Sequence, residues 1–108
     1  MENLTINLIN KCYYCDLLKE LLKKYKIDYN MVIVPENNKN KYKDKNISTF
    51  PQVYYHYKKK SVLIGGYTEF LQIINNIIDN LKPKDLSLKT SKKNKVRIYL
   101  FLVKQLGI

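Results

Sequence analysis

The first apolar stretch, Leu4, Ile6, Leu8 and Ile9, is too brief for a helix and suits a buried strand. Beyond Cys12-Tyr13-Tyr14-Cys15, the positions Leu17, Leu18, Leu21, Leu22 and Tyr25 recur at helical spacing, with Lys and Glu filling the opposite face. Tyr29 to Val34 reads as a second strand, ended by Pro35. The segment from Glu36 to Asn46 is rich in Lys and Asn and has Tyr42 as its apolar anchor, a pattern compatible with a loose surface helix. After Thr49-Phe50-Pro51, the aromatic and β-branched run Gln52 to Tyr57 predicts a third strand. Lys58-Lys59-Lys60 forms an exposed turn, and Ser61 to Ile64 returns as the partner strand up to Gly65-Gly66. From Tyr67, the positions Phe70, Leu71, Ile73, Ile74, Ile77, Ile78 and Leu81 are helical again, with Thr68 as an N-cap or first-turn residue. The body is therefore β-α-β-(α)-β-β-α.

At 108 residues, 45% hydrophobic and 27% charged, the chain suits one ordinary globular domain and argues against wholesale disorder. The longest apolar run, Val96 to Leu106, contains Arg97, Lys104 and Gln105 and is too short for a membrane span. The opening Met1-Glu2-Asn3-Leu4 lacks the basic start and cleavage site of a secretory signal, so the expectation is a soluble, cytoplasmic protein without a membrane partner. The net charge of +11 has a mundane part, since nineteen of the twenty cations are Lys, Asn and Ile abound and Ala is absent, a bias an AT-rich genome imposes. Its distribution is more informative. Residues 1–81 carry 12 cations and 8 anions, whereas residues 82–108 carry 8 and 1.

Pro83 marks that seam and divides the chain into residues 1–82 and a basic, then apolar, extension over 83–108. Within the extension, Ser91 to Lys95 reads as a solvated linker. Val96 to Leu106 is apolar at 8 of 11 positions and must bury something, first against the domain itself, second in a homodimer contact. Nucleic acid ranks well below both, because charge is not accompanied by aromatic interleaving or a binding motif.

The chemistry lies in Cys12 and Cys15. A Cys-x-x-Cys between a strand and a helix places its first sulfur at the helix N-terminus, where unpaired N–H groups and the positive dipole end favour thiolate. Lys11 adds a neighbouring cation. Cys12 is thus the better nucleophile, and Cys15 the thiol that resolves a mixed disulfide. Two buried structural cysteines rarely take this spacing at a helix start, and a permanent disulfide closing so small a loop stabilises little. A closed zinc site needs four ligands, and only Cys12, Cys15 and His56 are strong candidates, so no metal is expected. Redox use is favoured.

Three motifs in order carry a family resemblance. Cys12-Tyr13-Tyr14-Cys15 opens the first helix, Thr49-Phe50-Pro51-Gln52-Val53 enters the third strand, and Gly65-Gly66-Tyr67-Thr68-Glu69 enters the last helix. With them residues 4–81 resemble a glutaredoxin. The resemblance implies an α/β, thioredoxin-like fold with a central four-stranded mixed sheet flanked by helices, here followed by a short C-terminal extension. It implies a glutathione-dependent thiol–disulfide oxidoreductase, glutathione being co-substrate and glutathionylated proteins or protein disulfides the partners. Pro51 would be cis and face the nucleophile, turning the Phe50 backbone outward to pair with the cysteinyl part of glutathione. Gly66, Tyr67 and Thr68 would hold the γ-glutamyl carboxylate at a helix N-terminus. Lys11, Tyr14 and Thr49 complete the implied glutathione site.

The chain also departs from that pattern. Tyr13 replaces the usual proline after the first cysteine, and Ile9 stands where a lysine is usual. The stretch from Pro51 to Gly65 is about four residues longer than usual in the family, so the lysine hairpin should protrude. Asp16 is an acid where a cation is common. Two rivals follow: a glutathione-bridged dimer holding a [2Fe–2S] cluster, known among members without the proline, and a protein-disulfide reductant fed directly by a reductase.

Overall fold

The computed structural model describes residues 1–108. Four strands, β1 (Glu2–Leu8), β2 (Asn30–Ile33), β3 (Gln52–Tyr57) and β4 (Lys60–Gly65), form one mixed sheet in the order β2-β1-β3-β4. β1 runs parallel to β2 and antiparallel to β3, and β3 runs antiparallel to β4. The parallel pair needs a crossover, which α1 (Tyr13–Lys24) supplies. The antiparallel β3–β4 pair is closed by the short lysine turn at Lys58-Lys59, which is exposed. Two further helices follow, α2 (Tyr67–Ile78) and α3 (Lys92–Leu106).

Period-two alternation in β1 sends Leu4, Ile6 and Leu8 to one face, and register adds Val53 and Tyr55 of β3 to the same face. Leu18, Leu21 and Leu22 of α1 and Phe70, Ile73, Ile74 and Ile77 of α2 cover it. The opposite face is polar, with Asn3, Thr5 and Asn7 beside Gln52, Tyr54 and His56. The expected helix after β2 is a 3₁₀ segment, Glu36–Tyr42, which buries none of its residues. Its composition explains this: without apolar residues at helical spacing, it has no stripe to drive a longer helix onto the sheet. One buried polar relay ties it down. Gln52 Nε2 donates to the Tyr42 carbonyl at 2.7 Å, and Gln52 Oε1 accepts from Asn7 Nδ2 at 3.0 Å.

The extension differs from the sequence expectation in one respect. Ser91 to Lys95 is not a linker: Ser91 caps α3, its Oγ accepting from the Asn94 N–H at 3.2 Å, and Lys92 onward is helical. Lysines in a first turn oppose the helix dipole, but they lie on the wet side of a helix whose other side is buried, and that burial decides. Leu86, Leu88, Ile98 and Leu102 all join the same core as the body. α3 crosses the sheet at the Glu2–Tyr57 end: Phe101 packs on Tyr55 (centroids 5.5 Å apart) and Arg97 lies 4.4 Å over the Tyr57 ring. Gly107, left-handed at φ 74°, ends it. α2 stops at Ile78, short of the predicted Leu81, because Asn80 turns to φ 64° and Leu81 N–H returns to the Asn76 carbonyl. No helix is long and apolar enough to cross a membrane.

Beneath α3, the fully buried Tyr55 donates its hydroxyl to Glu2 Oε2 at 2.6 Å. Burial above all, then the Glu2 carboxylate, push the Tyr55 phenol far above its ordinary value; burial and Asp44 raise Tyr54 as well. The folded state therefore keeps phenolic protons that the unfolded chain gives up near pH 10. Stability should be intact below pH 10 and fall as pH rises past it. In Tyr55→Phe this alkaline loss should be smaller, as read from urea midpoints at pH 8 and pH 11.

Candidate functional site

Strand register brings the three motifs to one end of the sheet. Asn7 near the end of β1 is opposite Gln52 at the start of β3, and Val53 is opposite Gly65 at the end of β4. The loop after β1, the Phe50-Pro51 entry to β3 and the Gly65-Gly66 turn consequently converge there. α3 lies at the other end.

Cys12 is the N-cap of α1, reached through a left-handed Lys11 at φ 53°. The Cys15 N–H donates to Cys12 Sγ at 3.1 Å, which is the capping interaction of this helix. A first-turn donor aimed at the sulfur stabilises the thiolate whenever the pair is reduced. In the structure Cys12 and Cys15 are joined as a disulfide, with Cα atoms 5.1 Å apart. Cys12 is half-buried, whereas Cys15 is only 1% exposed. An attacking or leaving sulfur from outside can therefore reach Cys12 and not Cys15. Asp16, the acid beside the pair, is engaged by Lys19 at 3.4 Å on the exposed side, which partly offsets its charge.

Opposite the sulfur, the Phe50–Pro51 bond is cis and the Phe50 carbonyl oxygen lies 3.8 Å from Cys12 Sγ. That oxygen accepts from the thiol when the cysteine is reduced and protonated. Pro51 is buried, Phe50 half-buried against the core and Thr49 exposed. The third wall is the N-terminus of α2. Glu69 Oε1 accepts from the Gly66 N–H at 2.7 Å, so the carboxylate occupies that donor. The N–H groups of Tyr67 and Thr68, in the first turn, have no helical carbonyl to reach and are left as donors by the helix. Tyr14, exposed, lies against this third wall, its ring 6.1 Å from that of Tyr67. Lys11 is exposed.

The sequence motif around Gly65-Gly66 assigns Glu69 no role of its own, although its position three residues after the N-cap is the signal for a reciprocal cap. For Gln52 the sequence predicts only a place in a strand. Its burial was not legible, because a polar residue in an alternating strand normally faces water. Only register, by placing it across from Asn7, reveals the pair.

Gly65 has φ 137°, and a Cβ there would come within 2.7 Å of Glu69 Cβ. Gly65→Ala is expected to lose about 2 kcal/mol or more of stability and to displace the α2 terminus. Gly107→Ala, also at positive φ but with open space around it, should lose less. Paired denaturation curves check this difference.

A dithiol pair at a helix N-terminus, facing a cis-proline across the end of a mixed sheet, defines a thiol–disulfide oxidoreductase of thioredoxin-like fold. A family model described as Glutaredoxin matches residues 4–59. The chain belongs to the glutaredoxin family. In fold it is similar to glutaredoxin 1 from Francisella tularensis, solved in complex with cacodylate, with a TM-score of 0.59. That match covers 73% of this chain and 99% of the other at 24% identity, and so speaks to fold alone. No curated protein sequence gives a significant match.

Proposed function

We propose that the chain is a glutathione-dependent reductase of glutathione mixed disulfides and of protein disulfides, with Cys12 as nucleophile and Cys15 as resolving thiol. One observation carries the reading: the accessible sulfur of Cys12 lies beside the Phe50 backbone, 3.8 Å from its carbonyl oxygen, and α2, with the Tyr67 and Thr68 N–H groups in its first turn, begins at Gly66 against Pro51. A γ-glutamyl tripeptide presents a backbone to the first and a carboxylate to the second. In this reading Phe50 pairs with the cysteinyl unit as a short added strand, held by Thr49 and Pro51. Gly66, Tyr67 and Thr68 take the γ-glutamyl carboxylate, Tyr14 flanks the sulfur, and Lys11 supplies a cation to the remaining carboxylate.

On a glutathione mixed disulfide, the Cys12 thiolate attacks the glutathionyl sulfur. A Cys12–glutathione disulfide forms, the original S–S bond breaks, and the substrate thiolate leaves and takes a proton from water. The thiolate of a second glutathione then attacks the glutathionyl sulfur. Glutathione disulfide departs and Cys12 thiolate is restored; the substrate has gained two electrons and two glutathiones have lost them. On a protein disulfide, Cys12 attacks one sulfur and releases the other. Cys15 then displaces the reduced protein, leaving the Cys12–Cys15 disulfide for two glutathiones to reduce.

The test is turnover of a small glutathione mixed disulfide and of a protein disulfide, supplied either with glutathione, NADPH and glutathione reductase or with a thioredoxin-type reductase. Turnover of both substrates should require glutathione. Turnover with the thioredoxin-type reductase alone would overturn the glutathione reading while leaving the oxidoreductase class intact.

A further inference from the structure

Glutathione offers nothing to one of the largest exposed side chains beside the reactive sulfur. Tyr13, the residue after Cys12, is 71% exposed, and Tyr14 is 54% exposed. Neither packs against the hydrophobic core, whereas Tyr67 does. The three rings nevertheless form a continuous row. Tyr14 lies tilted against Tyr67 at 6.1 Å, and Tyr13 meets Tyr14 edge-on, with centroids 5.4 Å apart and planes at 71°. Edge-to-face pairing holds the Tyr13 ring in place without burying it. Two exposed aromatic rings with no part in the core, continuous through Tyr67 with a reactive site, have the composition of a recognition surface.

We propose that Tyr13 is a specificity residue for polypeptide substrates, its ring seating an aliphatic or aromatic side chain next to the oxidised cysteine of the substrate. The inference rests on the proposed function, since it needs Cys12 to attack a disulfide that holds such a cysteine, whose thiolate is the leaving group when glutathione is the other half. The order of the rings assigns the occupant. Tyr67 and Tyr14 border the proposed glutathione site, while Tyr13 lies beyond Tyr14 as the outer ring. Glutathione carries two carboxylates and an ammonium group but no apolar side chain, so an outer ring has no partner in it. A substrate polypeptide passing the sulfur does place a neighbouring side chain there. The nearby charges do not form a competing recognition site: Asp16 is engaged by Lys19, and Lys11 stands alone. A rigid tyrosine, with two rotatable bonds, loses little entropy when such a contact forms.

Two synthetic peptides, each glutathionylated on its single cysteine, test this, one with Leu and one with Ser on both sides of that cysteine. The wild-type chain should show a kcat/KM roughly fivefold higher for the Leu peptide, a size one aromatic contact can supply. Tyr13→Ser should bring the ratio near one, and Tyr13→Phe should preserve it. The ratio should survive high salt, as an apolar contact does and lysine steering does not. A small glutathione mixed disulfide, assayed alongside, reports the state of the chemistry. Equal ratios in wild type and Tyr13→Ser, with both active on the small disulfide, would overturn the role of Tyr13 and leave the proposed function standing. No glutathione-supported turnover of any of the three substrates would overturn both.

Discussion

Cys12→Ser is expected to abolish glutathione-supported turnover of mixed disulfides, a loss of at least about a thousandfold, since a serine hydroxyl is not ionised at neutral pH and cannot exchange with a disulfide. Cys15→Ser should retain much of that activity, because the route through a Cys12–glutathione disulfide uses one protein sulfur only. The two thiols differ because the structure treats them differently. Cys12 faces outward at the helix cap and receives the Cys15 N–H at 3.1 Å, while Cys15 is 1% exposed in the first turn. On protein disulfides Cys15→Ser should lose more, since the resolving step then falls to glutathione from solution. If Cys15→Ser were as inactive as Cys12→Ser on a small glutathione mixed disulfide, the one-sulfur route would be wrong.

The second large effect lies at the other end of the sheet. Leu102→Ala should destabilise the chain by about 2–5 kcal/mol, the range for emptying a buried leucine site. Leu102 is fully buried with Ile98 one turn earlier, both in the core that α1 and α2 share. Against a typical total of about 5–15 kcal/mol, that is a large fraction. Leu100→Ser, two residues away and 58% exposed, should change stability by no more than about 0.5 kcal/mol. Urea denaturation of the three chains measures the contrast. Equal effects would mean that α3 does not dock through its Ile98–Leu102 face in solution. Because α3 packs at the end of the sheet away from Cys12, the surviving folded fraction of Leu102→Ala should turn over substrate as the wild type does.

The sequence made particular elements legible where one physical signal was strong and local. α1 and α2 follow from leucine and isoleucine spacing, β3 from its β-branched and aromatic run, and the β3–β4 turn from three lysines. The place of Cys12 at the helix N-terminus follows from the strand–CxxC–helix order, and the structure adds that it is the cap. The signal failed where local preference and tertiary context disagree. Ser91 to Lys95 is hydrophilic enough for a linker, yet Ser91 begins a helix because Ile98 and Leu102 need a buried face. Gln52 is polar, yet it is buried because Asn7 and the Tyr42 carbonyl satisfy it.

Chain order alone determined the class of chemistry: two thiols three residues apart at a helix start, and two later motifs suited to a backbone edge and a helix N-terminus. Only the tertiary structure decided which groups meet. Strand register carried Phe50 to within 3.8 Å of Cys12 and set Gly66 beside Pro51. It is the folded chain, too, that gives the Gly66 N–H to Glu69, leaves Tyr13 without a core partner, and buries Cys15 beneath Cys12. Helical and strand periodicities are written in neighbouring residues. Contacts between residues tens of positions apart are set by how the faces pack, and no local pattern encodes that.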